Sequence, residues 1–242
     1  MLKIALCDDE PVTLDLLKNE IDALLQAQNL EYQIASYASG LSLLQDSSAK
    51  GFDVLFLDID MPDVSGFQVA EALQDSTSQC RVVFVTSKRN LMHQSFDYQP
   101  FHFICKGDSS DPFPDLKRIL SKLLRFYRQN YLLQVHDAIR GVFVLPIKDI
   151  YYIKSTGHYL YYHQKSPTRE PLRERGQIRE KARELSQYDF IRIHKQYLVN
   201  LYHILHFDHV GHKIILTNQE ELPLSQKEKE AAVGRYLQFR RR

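Results

Sequence analysis

Several things are scarce in this chain of 242 residues. No apolar run approaches the roughly 18 residues that a membrane-spanning helix needs, so the sequence offers no bilayer span. The apolar run that opens the chain, Met1 to Cys7, ends in Asp8-Asp9, unlike a signal peptide. Cysteine is limited to Cys7, Cys80 and Cys105. Three scattered thiols exclude a disulfide framework or a cysteine-based zinc site, and the expectation is a reduced, cytoplasmic protein. No Gly/Ser-rich or Pro-rich linker divides the chain. Net charge is nearly absent too, at +1, which by itself argues against an anionic polymer as partner.

The distribution of charge reverses that last inference. Residues 1–119 hold 9 Lys+Arg against 18 Asp+Glu, a net of −9, and residues 120–242 hold 22 against 12, a net of +10. Eight of the ten histidines also fall in the second part. Two oppositely charged halves imply two domains, the second suited to a phosphate backbone.

In the acidic half, short apolar runs alternate with amphipathic stretches. Lys3–Cys7, Val54–Leu57, Val82–Val85 and Phe101–Cys105 read as strands buried on both faces, with a weaker strand at Tyr32–Ser36. Helices are predicted over about 12–27, 39–46, 66–74 and 112–127. In the last, Leu116, Ile119, Leu120, Leu123, Leu124 and Tyr127 share one helix face. The alternation predicts a doubly wound α/β domain.

Ligands of such sheets sit beyond the carboxyl ends of the strands. There the chain carries Asp8-Asp9 after the first strand, Asp58 after the third, Thr86-Ser87 after the fourth and Lys106 after the fifth. One acidic pair after a strand reads as a solvated loop or a helix cap. Carboxylates, a hydroxyl and an ammonium at four strand ends read as a functional rim. Carboxylates gathered there repel unless a cation lies among them, and an all-oxygen set suits magnesium.

The segment Leu57-Asp58-Ile59-Asp60-Met61-Pro62-Asp63-Val64-Ser65-Gly66 resembles the phosphoacceptor signature of bacterial response-regulator receiver domains. With Asp8-Asp9, Thr86 and Lys106 in order, the resemblance spans roughly residues 1–125. It implies a flavodoxin-like fold and an Asp58 that takes a phosphoryl group from a sensor histidine kinase. It further implies that Asp9 binds magnesium directly and Asp8 mostly through water, with Asp58 and the Asp60 carbonyl as further ligands. Thr86 would hydrogen-bond the phosphoryl group and Lys106 would pair with it. Asp60 and Lys88, two residues beyond Asp58 and Thr86, occupy positions that tune the lifetime of the phosphate. Phe103 matches an aromatic switch position and reads equally as core. The chemistry suits the residue types: a carboxylate is a competent nucleophile, and phosphoryl transfer asks mainly for positioning and charge neutralisation.

One departure is Lys106-Gly107, where the family usually has Lys-Pro; glycine permits the turn without enforcing it. An alternative reading is a phosphatase of the haloacid-dehalogenase type, whose nucleophile motif Asp58-x-Asp60 resembles. That family expects Thr or Val two residues after the second Asp, where this chain has Pro62, and puts its nucleophile after the first strand. Multiple turnover of a small phosphate ester would favour it.

Beyond residue 128 the period becomes strand-like. Tyr131–Val135, Gly141–Leu145, Ile150–Lys154, Tyr159–His163, Phe190–Ile193, Ile204–Phe207, Lys213–Leu216 and Leu222–Leu224 read as strands, with helices over about Gln177–Leu185 and Gln226–Gln238. No helix-turn-helix, zinc finger or basic zipper is present, so any reading of DNA falls to loops and strand ends. Ile150 to Tyr159, Phe190-Ile-Arg-Ile-His-Lys-Gln-Tyr-Leu-Val-Asn200 and Leu222-Pro-Leu-Ser225 resemble landmarks of the LytTR DNA-binding domain, spread over about residues 130–238. By position, the resemblance makes His158, Lys195 and Gln226 the base contacts. The family more often has Arg at the last two positions. Lysine lacks the bidentate fork toward guanine, and glutamine suits adenine.

Other clusters have plainer readings. Arg173, Arg175, Arg179, Lys181 and Arg183 interleave with Glu170, Glu174, Glu180 and Glu184, as on a solvated helix face. Arg240-Arg241-Arg242 reads as a frayed tail. His203, His206, His209 and His212 recur every three residues, a spacing that alternates faces on a strand and makes a poor metal site. Tyr151, Tyr152, Tyr159, Tyr161 and Tyr162 read as sheet packing.

The whole predicts a receiver over 1–127, a short join over 128–134 and a LytTR-type domain over 135–242. The expected partners are a sensor histidine kinase, double-stranded DNA carrying spaced repeats and, on phosphorylation, a second copy of the chain. The expected protein is a transcription regulator and not a turnover enzyme; self-catalysed phosphoryl uptake and hydrolysis at Asp58 are its only chemistry. A receiver fused to a protein-interaction module is the non-DNA alternative.

Overall fold

The computed structural model describes residues 1–28, 30–46, 51–74, 80–108, 110–165, 170–208 and 210–241. Contacts between residues divide the chain into two units, Met1–Leu123 and Leu124–Arg242.

The first unit alternates strands and helices: β1 (Leu2–Cys7), α1 (Pro11–Gln26), β2 (Tyr32–Tyr37), α2 (Gly40–Gln45), β3 (Val54–Leu57), α3 (Gly66–Gln74), β4 (Arg81–Thr86), a short α4 (Met92–Ser95), β5 (His102–Cys105) and the start of α5 (Leu116–Asn130). All five strands are parallel, in the order β2-β1-β3-β4-β5. That is the flavodoxin-like doubly wound order, with its switch point between β1 and β3. β3 is buried at every position, as a central parallel strand must be, whereas the edge strand β2 has no fully buried residue. On one face Ala5, Cys7, Leu55, Leu57 and Phe84 pack with Leu43 of α2 and Phe67, Val69, Ala70 and Leu73 of α3. Burying each Leu, Val or Phe among them contributes roughly 1.5–3 kcal/mol of transfer free energy.

Two element assignments differ from the sequence expectation. The segment 89–98 holds α4 between two 3-10 turns, yet it lacks the long apolar stripe by which a helix is read. α5 begins at Leu116, four residues later than predicted, because Pro112 and Pro114 lack the N–H groups that continue a helix. It runs on to Asn130, and β6 (Leu132–Asp137) follows at once, so residues 128–134 are mostly helix and strand.

The second unit is antiparallel. After β6 come β7 (Gly141–Pro146), β8 (Ile150–Thr156), β9 (Tyr159–Gln164), β10 (Leu172–Arg175), α6 (Ile178–Leu185), β11 (Phe190–His194), β12 (Tyr197–Asn200), β13 (Ile204–Asp208), β14 (Lys213–Leu216), β15 (Glu221–Pro223) and α7 (Gln226–Arg240). A seven-stranded sheet runs β11-β12-β8-β9-β10-β6-β7, and a three-stranded one runs β13-β14-β15. Ile150, Ile153, Leu160, Tyr162, Leu172, Leu185, Phe190 and Leu198 make one core. Ile193, Val199, Leu201, Ile214, Leu216, Leu222, Leu224 and Ala232 of α7 make another.

β10 and β12 were not anticipated. β10 is three-quarters charged and shows no apolar alternation, so the Arg173–Arg175 run is a strand and the solvated helix face begins only at Ile178. Two of its three charges have partners in neighbouring elements. The Arg173 guanidinium lies 4.9 Å from the Tyr159 ring centre. Glu174 accepts from the Tyr162 hydroxyl and pairs with Lys181 at 3.2 Å. β12 is separated from β11 by only two residues, Lys195-Gln196, and the run reads as continuous in sequence.

Candidate functional site

The acidic rim forms where β1, β3, β4 and β5 end. Asp8 and Asp58 follow β1 and β3 directly, each side chain about 95% or more buried. Backbone bonds from Asp58 N–H to the Cys7 carbonyl (2.8 Å) and from Lys106 N–H to the Thr86 carbonyl (2.9 Å) tie the strand ends together. Thr86 is buried at the end of β4, and its Oγ1 accepts from the Lys88 N–H at 3.3 Å. The Lys106 ammonium lies 2.8 Å from Asp8 Oδ2, 3.5 Å from Asp58 Oδ1 and 3.9 Å from Glu10 Oε2. The sequence did not mark Glu10 as part of this cluster.

Two glycines make the loops fit. A Cβ on Gly66 would stand 2.1 Å from the Asp58 carbonyl oxygen, so α3 starts against the phosphoacceptor-like loop only because residue 66 has no side chain. A Cβ on Gly107 would meet the Asp111 carbonyl oxygen at 2.1 Å, and the Gly107 N–H donates to the Pro112 carbonyl at 2.8 Å. Gly107 thus closes the loop beside Lys106 by close approach.

The electrostatics follow from burial. Burial raises the Asp58 carboxyl above its ordinary value, the Lys106 ammonium works against that, and neighbouring Asp8 adds to it. Burial likewise raises Asp8, against the Lys106 and Glu10 hydrogen bonds. For Lys106 burial acts downward, but the Asp8 bond and the Asp58 and Asp8 charges outweigh it, and the net shift is upward. Burial, with Asp8 next, pushes the Cys7 thiol up to about 12.

Asp8, Asp9 and Asp58 each offer a carboxylate oxygen, and these oxygens all lie within 4.8 Å of one another. Among the described residues this is the only such group of potential ligands. Asp58 Oδ2 accepts from the Asp60 N–H at 3.2 Å, while the buried Oδ1 has only the Lys106 ammonium beside it, at 3.5 Å. An acceptor left so costs free energy that a bound cation or donor would recover. Three carboxylates, with one oxygen of Asp58 paired only at 3.5 Å, fit a divalent cation of the magnesium class. The Asp60 carboxylate points elsewhere, to Lys88 at 2.6 Å, both side chains being about half exposed.

A second convergence lies at one end of the seven-stranded sheet. His158 and Lys195 are exposed in the two-residue turns β8–β9 and β11–β12, and Gln226 is exposed at the first position of α7. β12 pairs with β8 through Tyr197 and Lys154, which brings the two turns side by side. The Ser155 N–H donates to the Gln196 carbonyl at 2.8 Å. The Ser225 N–H donates to the Ile193 carbonyl at 2.9 Å, and the Ser225 hydroxyl caps α7 by accepting from the Glu228 N–H. All three sequence-predicted contact residues therefore belong to one backbone-linked rim.

The rest of the 190–200 motif is structural. Phe190, Ile193 and Val199 are core, and buried Asn200 donates to the Ile147 and Ile150 carbonyls while accepting from the Tyr202 N–H. Of the histidine series, His203 is buried. Its Nε2–H donates to the Lys148 carbonyl at 2.7 Å, and Nδ1 faces the Thr217 hydroxyl at 3.3 Å. His206 and His212 are exposed, and His209 and Arg242 lie outside the described residues. Tyr152 and Tyr162 are buried in the sheet.

Two family models match the chain: the response regulator receiver domain over residues 4–112, and the LytTr DNA-binding domain over residues 140–233. The chain belongs to the response regulators that join a receiver to a LytTR DNA-binding domain. The regulator is 24% identical over 212 residues to the transcriptional regulatory protein NatR of Bacillus subtilis, covering 86% of this chain and 85% of NatR. It is 24% identical over 244 residues to the sensory transduction protein LytT of Bacillus cereus, with 93% and 95% covered. A solved structure of the response regulator protein TrrA from Thermotoga maritima, in complex with Mg(2+)-BeF, is 25% identical. It covers 51% of this chain and 99% of its own, with a TM-score of 0.43. The receiver match also settles the phosphatase alternative, since Asp58 follows the third strand and not the first. Among the described residues no helix is long and apolar enough to cross a membrane.

Proposed function

We propose that this regulator takes a phosphoryl group on Asp58 from a sensor histidine kinase in the cytoplasm and, so modified, binds promoter repeats through the His158, Lys195 and Gln226 rim. The observation that carries the reading is the buried cluster of Asp8, Asp58 and Lys106, in a chain whose other unit presents two turns and a helix start, linked through the backbone, on a basic domain.

Asp58 attacks phosphorus in line; the bond from phosphorus to the kinase's imidazole nitrogen breaks as the bond to the carboxylate oxygen forms. Asp8, Asp9 and Asp58, with the Asp60 carbonyl, are the residues that would hold magnesium, which supplies neutralisation of the phosphoryl oxygens. Lys106 neutralises a further oxygen, and Thr86 donates its hydroxyl to another. Water later attacks phosphorus, releasing inorganic phosphate and restoring the carboxylate. Asp60 and Lys88 flank that approach and set its rate. This is self-catalysed uptake and loss, not turnover of a free substrate.

On the DNA side, the net +10 of residues 120–242 supplies attraction to phosphate, and His158, Lys195 and Gln226 supply base contacts. Phosphorylation favours a dimer whose two LytTR domains engage spaced repeats. The test is selection from random-sequence DNA with wild type and Asp58→Ala, each with magnesium and a small phosphodonor. Recovery of one motif by wild type alone supports the reading. Equal recovery by both removes the phospho-switch, and recovery by neither removes the DNA role.

A further inference from the structure

The turn that presents Lys195 is bonded at every carbonyl from 193 to 196. The Ile193 oxygen takes the Ser225 N–H at 2.9 Å and the Gln196 oxygen takes the Ser155 N–H at 2.8 Å. The two oxygens between them are taken by a single side chain. Arg192 Nε donates to the His194 carbonyl at 3.2 Å, and its Nη2 donates to the Lys195 carbonyl at 3.4 Å. The register of β11 against β12 shifts between Arg192 and His194, so the ladder is irregular where the guanidinium intervenes. The His194 ring completes the turn, with Nδ1 accepting from the Gln196 N–H at 3.2 Å.

We propose that Arg192 is a positioning residue for DNA reading: its guanidinium fixes the Lys195 turn so that Lys195 is held in one unit with His158 and Gln226. This rests on the proposed DNA contact by Lys195. The fork geometry of arginine matters, because one planar group reaches two successive carbonyls. A lysine there keeps the charge but offers only a point donor. A turn held at one carbonyl in place of two samples more conformations, and the entropy of ordering it falls on the DNA complex. The same geometry argues against a phosphate contact as the main role, since two of the donors on Arg192 are already engaged within the protein.

The test is a double-mutant cycle in the full-length regulator, read by fluorescence anisotropy on a selected DNA site and on random-sequence DNA across a salt series. Arg192→Lys is expected to weaken specific binding about tenfold, the scale of one lost base contact. Binding to random DNA and the slope against salt should stay as in wild type. Lys195→Ala should weaken specific binding by a similar factor, and the double variant should bind no worse than Lys195→Ala alone. In the free protein, Arg192→Lys should speed amide exchange at Gln196 while leaving Ile153 and Leu198 protected, a readout independent of DNA.

Wild-type affinity and exchange in Arg192→Lys would overturn the proposal. So would Arg192→Gln lowering the salt slope by about one while Arg192→Lys binds normally, which is the signature of a phosphate contact. Additive losses in the double variant would overturn it as well. If Lys195→Ala alone binds as wild type, the contact assigned to Lys195 fails first, and the role of Arg192 fails with it.

Discussion

The ammonium of Lys106 lies closer to Asp8 than to Asp58, at 2.8 Å against 3.5 Å. In this state it pairs one carboxylate and only partly neutralises the other, and all three groups are largely buried. The cluster is therefore balanced by one lysine against two acids.

Removing that lysine leaves two buried carboxylates without compensation. Lys106→Gln is expected to lower stability by about 3 kcal/mol at neutral pH, the usual cost of breaking a buried pair. The loss should shrink in mild acid, where the carboxyls take up protons. Urea denaturation at two pH values measures both effects; an unchanged midpoint would contradict the balance.

Removing an acid acts in the opposite direction. Burial raises Asp58 and Asp8, so the folded chain holds protons that the unfolded chain has already released. A raised carboxyl contributes stability below its unfolded value that is lost as pH rises through the window between the unfolded and folded values. Asp58→Asn should then stabilise the metal-free protein by on the order of 1 kcal/mol at pH 7, with little effect at pH 3.5. Thermal unfolding in chelator at both pH values checks the sign.

Added magnesium should stabilise wild type through its three carboxylates, by mass action on the folded state. The gain should be smaller in Asp9→Asn, whose rim offers one ionised ligand fewer. A thermal-shift titration with magnesium, and with potassium as control, distinguishes ligation from ionic strength.

The exposed pair Lys88–Asp60, at 2.6 Å, should matter for lifetime and hardly for stability. Lys88→Ala is expected to free the Asp60 carboxylate to hold an attacking water and so to shorten the life of the phosphorylated form. Unfolding free energy should change by no more than about 0.5 kcal/mol. Time-resolved intact-mass measurement of the phosphorylated protein follows the decay; a longer lifetime would reverse the assignment.

Much of the receiver was legible because its chemistry sits at strand ends and its strands are short, buried and apolar. Asp8, Asp58, Thr86 and Lys106 fall on one rim from the strand pattern alone, because a parallel sheet sends successive strand ends to the same side. Glu10 does not, since its nearness to Lys106 depends on how α1 begins. In the second unit the missed strand β10 is charged, and its Arg173 and Glu174 are satisfied by Tyr159 and Tyr162, partners that no sequence period reveals. Buried His203 escaped for a similar reason: its cost is met by the Lys148 carbonyl and the Thr217 hydroxyl, both distant in sequence. The positions of His158, Lys195 and Gln226 came from motif resemblance, and only the bonds at Ser155 and Ser225 bring them to one rim.

The most direct test of the account is the affinity of the full-length regulator for a selected DNA site, measured by anisotropy with magnesium, with and without a small phosphodonor, in wild type and Asp58→Ala. The phosphodonor is expected to tighten binding by wild type at least tenfold, about 1.4 kcal/mol, and to leave Asp58→Ala unchanged. Equal tightening in both proteins, or none in wild type carrying a verified phosphoryl group on Asp58, would contradict it.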